Sequence, residues 1–218
     1  MAHENLRRVG IIGDVHAEDV LLERAIRLLK DAGAELVVCT GDVVDGPGNV
    51  DRCVSLLALE DVLVVKGNHD QWFLANRLRS LPKATQPGNV DVTSASFINL
   101  LPLCRDVGTI AGGVVICHGL GENTMAKVTP DDYGYGLEVN DDLWELVRDP
   151  RYAYAVCGHS HRRMVRHFDG LCVINAGTLS RDEQPCCLLA DFQTGEARFL
   201  LLDEAGAPVG EEVENLFP

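Results

Sequence analysis

The feature that most constrains this chain is a series of apolar runs that each stop at a short segment of Asp, His or Asn residues. The runs are Val9–Ile12, Leu36–Thr40, Val62–Val65, Val114–Cys117 and Tyr154–Cys157. The polar segments that follow them are Asp14-Val15-His16, Gly41-Asp42, Gly67-Asn68-His69-Asp70, Cys117-His118 and Gly158-His159-Ser160-His161. Because ligands gather outside the carboxyl ends of strands in an α/β sheet, these side chains are predicted to meet at one edge. Their oxygen and nitrogen atoms hold divalent metals, so the pattern predicts a two-metal site and favours metal-assisted phosphoester hydrolysis.

The order of the predicted elements indicates the fold class. In the first seventy residues the strands alternate with two helices, Ala17–Ala32 and Val50–Leu59, and crossovers of this length imply parallel pairing. The second half contains three hairpin signals, centred on residues 111–113, 169–170 and 193–196. We therefore expect an α/β fold of two packed mixed β-sheets flanked by helices, with an antiparallel second half and one domain over residues 1–218.

Two segments are rich in Gly, Pro, Asn and Asp and are predicted to form mobile loops over the site, Pro82–Val92 and Gly119–Leu137. Such loops shape the pocket in which a substrate lies. Their positions between the polar segments therefore suggest that they select the substrate.

The charge of the chain limits its partners. The formal net charge of −14 argues against binding to duplex nucleic acid or to an anionic membrane surface, because both favour basic proteins. A small anionic substrate remains compatible with this charge, since two divalent cations would reverse the sign of the local field.

The cysteines and the apolar segments indicate in which cellular compartment the protein is expected. Four of the eight cysteines, Cys39, Cys117, Cys157 and Cys172, lie inside apolar runs, and no Cys-x-x-Cys pair occurs, so reduced structural thiols are expected. No stretch approaches the roughly 20 apolar residues of a membrane helix. The N-terminus lacks the apolar region of a signal peptide, so we expect a cytoplasmic protein.

The polar segments together resemble a known family. Gly13-Asp14-Val15-His16, Gly41-Asp42-Val43-Val44-Asp45, Gly67-Asn68-His69-Asp70, His118 and Gly158-His159-Ser160-His161 are similar to the motifs of the calcineurin-like metallophosphoesterases, in particular the compact bacterial-type phosphodiesterase and phosphatase branch. The similarity extends from about residue 9 to residue 181. It implies a double β-sandwich flanked by helices, which agrees with the element order.

The resemblance also implies roles for individual residues. It implies that one metal is held by Asp14, His16 and His161, that a second is held by Asn68, His118 and His159, and that Asp42 bridges the two. It implies two divalent ions, with Mn, Fe, Zn or Ni as the candidates, and a water or hydroxide between them as the nucleophile.

His69 is the remaining motif histidine, and the resemblance implies a catalytic role for it beside the phosphate, as the proton donor to the leaving oxygen or as a stabiliser of charge. Asp70 could orient its imidazole or cap a helix that starts at Gln71, and capping is favoured. Asp45 is expected to support the site or form a turn rather than to bind metal.

Three other features lie at the margin of the pattern. The segment Asn175–Arg181 resembles the last loop of the family's site, although a turn into the final hairpin explains it equally well. His3 and His167 fall outside every motif and are expected to have no role.

Departures from related branches bear on the substrate. Protein serine/threonine phosphatases and dinucleoside polyphosphate hydrolases carry an arginine where this chain has Gly46, and glycine where it has Ala17. We therefore expect small phosphomonoesters or phosphodiesters as substrates, with nucleotides among the candidates, and keep those two enzyme classes as alternatives. A non-catalytic scaffold on the same fold is the alternative of another class, and a nuclease is disfavoured by the acidic charge.

Overall fold

A computed structural model describes residues 4–218. Its strands are β1 (Arg8–Ile12), β2 (Leu36–Cys39), β3 (Leu63–Val64), β4 (Cys104–Thr109), β5 (Gly112–Cys117), β6 (Tyr154–Cys157), β7 (Met164–Phe168), β8 (Leu171–Asn175), β9 (Cys186–Asp191), β10 (Glu196–Leu202) and β11 (Pro208–Asn215). Its helices are α1 (Asp19–Asp31), α2 (Val50–Leu59), α3 (Asn68–Leu74), α4 (Val92–Leu100), α5 (Tyr135–Glu138) and α6 (Asp141–Arg148). A single 3-10 turn covers Pro87–Asn89 in that described part of the chain.

The strands form two mixed sheets. The first has six strands in the order β11-β10-β9-β1-β2-β3, with β1, β2 and β3 parallel and β9 antiparallel to β1. The second has five strands in the order β4-β5-β6-β8-β7, with β5, β6 and β8 parallel. The parallel strands are central in the second sheet and occupy one side of the first, where β3 is the edge strand, so within each sheet their carboxyl ends lie side by side.

The core consists of three apolar layers, which explains why the central strands are apolar on both faces. Ile11 of β1 lies in a buried cluster that contains residues of both sheets, such as Ile116 of β5. Its neighbour Ile12 points to the other face and belongs to the cluster that includes α1 and α2. Leu143 of α6 belongs to the third cluster, on the outer face of the second sheet.

This layered arrangement confirms the predicted fold class of two packed mixed sheets flanked by helices. The expectation of an antiparallel second half is wrong in part, because β5, β6 and β8 pair in parallel. The segment between β5 and β6 contains α6, and such a crossover permits parallel pairing. In addition, β9, β10 and β11 join the sheet of the first half rather than the second.

Several element boundaries also differ from the sequence-based expectations. The first helix begins at Asp19 instead of Ala17, since Ala17 has a φ of +54° and is therefore not helical. The third strand is limited to Leu63–Val64. The pattern did not predict β11, whose eight residues are all exposed and so lack an apolar face, nor α4 and α6.

The remaining expectations concern membranes and cysteines. None of the helices among residues 4–218 is long and apolar enough to cross a membrane. All eight cysteines are free thiols, and seven are buried, as expected for structural residues. Burial raises the pKa of the Cys39 and Cys157 thiols to about 12, so both remain protonated at neutral pH.

Candidate metal centre

Each candidate ligand follows the end of a strand, and the two sheets bring these ends together. Asp14 and His16 come after β1, and Asp42 comes after β2. Asn68 is the first residue of α3, and His118 follows β5. His159 and His161 follow β6. The structure therefore places all seven sequence-predicted ligands at one edge of the sandwich.

The first cluster at this edge contains Asp14, His16 and His161, each of which offers one ligand atom within 4.8 Å of the others. His16 Nδ1 lies 2.9 Å from the backbone oxygen of Asp45. His161 Nδ1 lies 2.7 Å from Glu183 Oε1. Because a carbonyl or carboxylate oxygen only accepts, both Nδ1 atoms carry the proton, and both Nε2 atoms keep a free electron pair in the neutral rings.

The Nε2 atoms of His16 and His161 face each other at 3.0 Å, and His161 Nε2 lies 3.0 Å from Asp14 Oδ2. Two ring nitrogens and a carboxylate that point at one another attract a positive charge, which is a proton on His161 or a bound cation. A divalent cation supplies that charge, so this donor set fits a metal ion.

A second cluster contains Asp14, Asp42 and His118. His118 Nδ1 lies 2.8 Å from the backbone oxygen of Thr40, which again leaves Nε2 as the ligand atom. This Nε2 lies 2.8 Å from Asn68 Oδ1 and 3.3 Å from Asp42 Oδ2. The cluster therefore gathers two carboxylates, one imidazole and one amide oxygen, all of them buried.

Two details differ from the scheme that the resemblance implies. Asp14 belongs to both clusters, whereas the scheme has Asp42 as the bridge. His159 belongs to neither cluster among residues 4–218, although its ring centroid lies 5.4 Å from that of His118. The bridging role of Asp42 and the ligand role of His159 remain predictions.

The backbone of these segments is strained at the candidate ligands themselves. His16, Asp42, His159 and His161 all have φ between +46° and +64°. Non-glycine residues rarely adopt this region, and such strain concentrates at functional sites. The sequence pattern requires a kink for alternate histidines to converge, and the positive φ values of His159 and His161 are that kink.

A close approach between segments explains the glycine before His159. A Cβ atom on Gly158 would lie 2.2 Å from Asp14 Oδ1 and 2.5 Å from Thr40 Oγ1. The His159 N–H can therefore reach Asp14, to which it donates at 3.0 Å. Gly158 is needed because any larger residue would displace the Asp14 carboxylate.

The buried carboxylates make this centre attractive to positive charge. Burial opposes ionisation of His118, but the charges of Asp42 and Asp14 outweigh it and raise its pKa to about 10. Burial likewise opposes the charged form of His161, and its hydrogen bond and attraction to Asp14 raise its pKa to about 9. The pKa of Asp42 is lowered, because the positive charge of His118 outweighs the effect of burial. A cation at this place is therefore electrostatically favoured.

His69 lies beside the first cluster and is held by Asp45. Its Nδ1 donates to Asp45 Oδ2 at 2.8 Å, and its backbone N–H donates to Asp42 Oδ1 at 2.8 Å. Its ring contacts His16 edge-on, with the centroids 5.0 Å apart, and lies 4.6 Å from the Trp72 ring. Burial lowers the pKa of His69, but the hydrogen bond to Asp45 and the charge of Asp42 raise it above its usual value.

Asp70 does not orient His69. Asp70 Oδ2 accepts from the Gly67 N–H at 2.9 Å, which caps α3, and Oδ1 accepts from the Val43 N–H at 2.9 Å. The helix starts at Asn68 rather than at Gln71. Burial and repulsion by Asp42 raise the pKa of Asp70 to about 7.

The loop that follows β8 packs against the motifs. Thr178 Oγ1 and the Leu179 N–H both donate to the Asp14 backbone oxygen at 2.9 Å. Asn175 Nδ2 donates to the Gly158 backbone oxygen at 2.6 Å. This loop therefore supports the segments that carry Asp14 and His159.

Among the described residues, His167 lies in β7, away from the centre. His167 lies 3.1 Å from the backbone oxygen of Asn215, and His3 lies outside the described residues.

Sequence reasoning missed three residues that support the histidines or their partners. These are Glu183 at His161, Arg79 at Asp45 and Trp72 at His69. For these contacts the sequence gives a signal only at Asp45, the partner of Arg79, because Asp45 follows Asp42 in a short polar segment after a strand. Arg79 and Glu183 lie in loops whose conformation the pattern does not determine.

One family profile and the sequences of two known proteins match this chain. A profile described as the calcineurin-like phosphoesterase superfamily domain matches residues 8–195, which confirms the resemblance. An uncharacterized protein of Methanocaldococcus jannaschii is 23% identical over 205 residues, which cover 87% of this chain and 77% of that protein. Serine/threonine-protein phosphatase 1 of Salmonella typhimurium is 34% identical over 79 residues, which cover 35% of this chain and 36% of that protein.

Solved structures share the fold at low sequence identity. A metallophosphoesterase from Sphaerobacter thermophilus has a TM-score of 0.64 at 20% identity, over 91% of this chain and 89% of that one. A protein described as a putative diadenosine tetraphosphatase has a TM-score of 0.63 at 20% identity, over 92% and 96%. Vacuolar Protein Sorting 29 from Cryptosporidium parvum has a TM-score of 0.57 at 19% identity, over 97% and 100%.

Proposed function

Since this chain belongs to the calcineurin-like phosphoesterase superfamily, we propose that it is a two-metal phosphoesterase that hydrolyses small phosphomonoesters or phosphodiesters. The observation that carries the proposal is the orientation of three buried or half-buried imidazoles. His16, His118 and His161 each donate Nδ1–H to a protein oxygen, so their Nε2 atoms converge on the carboxylates of Asp14 and Asp42. Histidines that only filled a core would have no reason to share this orientation.

In this proposal Asp14, His16 and His161 would hold one divalent ion, Asn68, His118 and His159 would hold the other, and Asp42 would serve both. The mixture of imidazole and carboxylate donors suits Mn, Fe, Zn or Ni. Two such ions, when bound, supply a water that is nucleophilic at neutral pH and neutralise the phosphoryl oxygens in the transition state.

His69 is the proposed proton donor to the leaving oxygen. Its Nδ1–H is committed to Asp45, which leaves Nε2 for the substrate. The neighbouring carboxylates raise its pKa, so that a larger fraction carries the proton to be donated near neutral pH. Asp45 orients the ring and stabilises its positive charge.

Small esters are proposed over phosphoproteins because both predicted loops are tied to segments next to the site, and Thr85 of the loop 82–92 contacts Asp45 directly. Lys83 of the predicted loop 82–92 pairs with Asp182, the residue directly after the segment 175–181. Arg166 Nη1 donates to the Thr129 backbone oxygen of the second loop at 2.7 Å. The similarity to a putative diadenosine tetraphosphatase adds nucleotides to the candidate substrates, and the similarity to a protein phosphatase keeps that class as the second candidate.

The fold alone does not decide in favour of an enzyme, because a vacuolar sorting protein shares it. The complete set of donors supports the enzyme over a scaffold, since a scaffold has no need for strained histidines around buried carboxylates. A cytoplasmic location is also part of the proposal and is supported by the eight free thiols.

The test is hydrolysis of a panel of phosphate esters by the purified protein with added Mn²⁺, compared with Asp42→Asn. We expect turnover by the natural protein and a loss of at least 10²-fold in Asp42→Asn. Asp61→Asn is the matched control, because it removes the same charge at an exposed position whose φ of +54° suits asparagine. Absence of turnover on every ester, with metal bound, would refute the proposal in favour of a scaffold.

A further inference from the structure

Asp45 lies at the centre of a buried hydrogen-bond network that links the proposed proton donor to a distant loop. Its Oδ2 accepts from His69 Nδ1, and its backbone oxygen accepts from His16 Nδ1. Its Oδ1 accepts from the Thr85 N–H at 2.8 Å, and its own N–H donates to Thr85 Oγ1 at 2.9 Å. The side chain of Asp45 is only 4% exposed.

The charge partner of Asp45 comes from the loop that contains Thr85. Arg79 Nη1 donates to Asp45 Oδ1 at 2.6 Å, and Nη2 donates to Oδ2 at 2.9 Å. This two-point contact fixes the plane of the carboxylate, because both of its oxygens are tied to one rigid guanidinium. The direction in which Oδ2 meets His69 is thereby set by Arg79.

Arg79 is itself held so that it cannot serve the substrate directly. Its Nε donates to the Arg77 backbone oxygen at 2.7 Å, and Nη1 also donates to the Thr85 backbone oxygen at 2.9 Å. Its side chain is 9% exposed. Four of its five donors are therefore occupied by protein oxygens, which leaves little of the guanidinium to bind a phosphate.

Gly46, the residue after Asp45, cannot be replaced by the arginine that would pair with this carboxylate. A Cβ atom on Gly46 would lie 1.6 Å from the His16 backbone oxygen, so residue 46 has no room for a side chain. An arginine directly after Asp45 is therefore incompatible with this packing.

We propose that Arg79 is a positioning residue, which fixes the Asp45 carboxylate and, through it, the imidazole of His69 for proton transfer to the leaving oxygen. The role in proton transfer rests on the proposed function, whereas the positioning of His69 rests on the observed contacts alone. The loop of residues 77–86 thus becomes part of the catalytic apparatus without touching the substrate.

The first test compares Arg79→Gln with the natural enzyme on two esters. An alkyl phosphate has a poor leaving group and needs a proton, whereas a 4-nitrophenyl ester does not. We expect Arg79→Gln to lower kcat on the alkyl ester roughly 10–100-fold, as for other residues that orient an active group, with KM and metal content unchanged and a smaller loss on the nitrophenyl ester. A rise in KM with kcat unchanged would overturn the proposal and would indicate direct substrate binding.

A double-mutant cycle separates positioning from a merely structural role. In the His69→Ala background, Arg79→Gln should cause no further loss on the alkyl ester, because the residue through which it acts is gone. An equal loss in both backgrounds would overturn the proposal. Arg151→Gln is the matched control, since Arg151 also makes a two-point contact, with Asp149, but is 66% exposed and distant from the site.

A spectroscopic test does not depend on activity. In the zinc-loaded protein, the Nδ1 proton of His69 should give a resolved NMR signal that is lost in Arg79→Gln and partly retained in Arg79→Lys, which keeps a charge but not the two-point contact. Persistence of the natural signal in Arg79→Gln would refute the positioning role even if the chain proved to hydrolyse no ester. If Arg79→Gln fails to fold, Arg79→Lys tests the proposal instead: a weakened signal supports it, and a signal identical to that of the natural protein would refute it.

Discussion

The substitution Glu183→Ala is expected to weaken one metal site selectively. His16 and His118 donate Nδ1–H to backbone oxygens, which no substitution removes, whereas His161 donates to the Glu183 carboxylate at 2.7 Å. Such a hydrogen bond to a charged group contributes about 1.5–3 kcal/mol. Glu183 is 46% exposed, which places its contribution at the lower end, so the ion at His161 should bind roughly tenfold more weakly.

The assay is a calorimetric titration of the metal-free protein with Zn²⁺ or Mn²⁺, fitted to two sites. Only the site of Asp14, His16 and His161 should weaken in Glu183→Ala. Asp182→Ala is the control, because this neighbouring carboxylate is 62% exposed and pairs with Lys83 instead of a histidine. An unchanged affinity, or an equal loss at both sites, would refute the reasoning.

Three further predictions concern catalysis, specificity and stability. His69→Ala should leave the metal content unchanged, as measured by elemental analysis, but slow esters with poor leaving groups about 10²–10⁴-fold and nitrophenyl esters much less; loss of metal would show that His69 is a ligand. Phosphate should be released far faster from a nucleotide than from a folded phosphoprotein, and the opposite order would assign the chain to the protein phosphatases. Glu18 is fully buried and its carboxylate binds the Arg181 guanidinium. Glu18→Gln should therefore lower the free energy of unfolding by about 2 kcal/mol and the melting temperature in calorimetry by roughly 4–8 °C. An unchanged melting temperature would show that the pair contributes nothing to stability.

The sequence was sufficient to predict which side chains meet at the edge of the sheets, because these residues directly follow strands. Asp14, Asp42 and His118 could be grouped because parallel central strands deliver their following residues to one edge. The helix at α4 and the strand β11 could not be predicted, because the first has no clear apolar face and the second is wholly exposed. The helix α4 is held by Ile98, which is buried in the core, and β11 is held by its antiparallel pairing with β10.

The contacts that orient the histidines could not be predicted, because they depend on how the helix α3 and the loops are placed. Asp70 is adjacent to His69 in sequence, yet the residue that binds the imidazole is Asp45, because α3 starts at Asn68 and turns Asp70 toward the Gly67 N–H. Arg79 and Glu183 reach the site from irregular loops. Their contacts follow from loop conformations that leave no periodic signal in the sequence.

The central claim is that two divalent ions in this centre are required for hydrolysis, and a stoichiometric reconstitution tests it most directly. The protein is stripped with a chelator, and activity on a small phosphate ester is followed while Mn²⁺ or Zn²⁺ is added in measured equivalents. We predict no turnover in the stripped protein and full recovery only at about two ions per chain. Turnover that survives exhaustive chelation, or full activity at one ion per chain, would contradict the two-metal account.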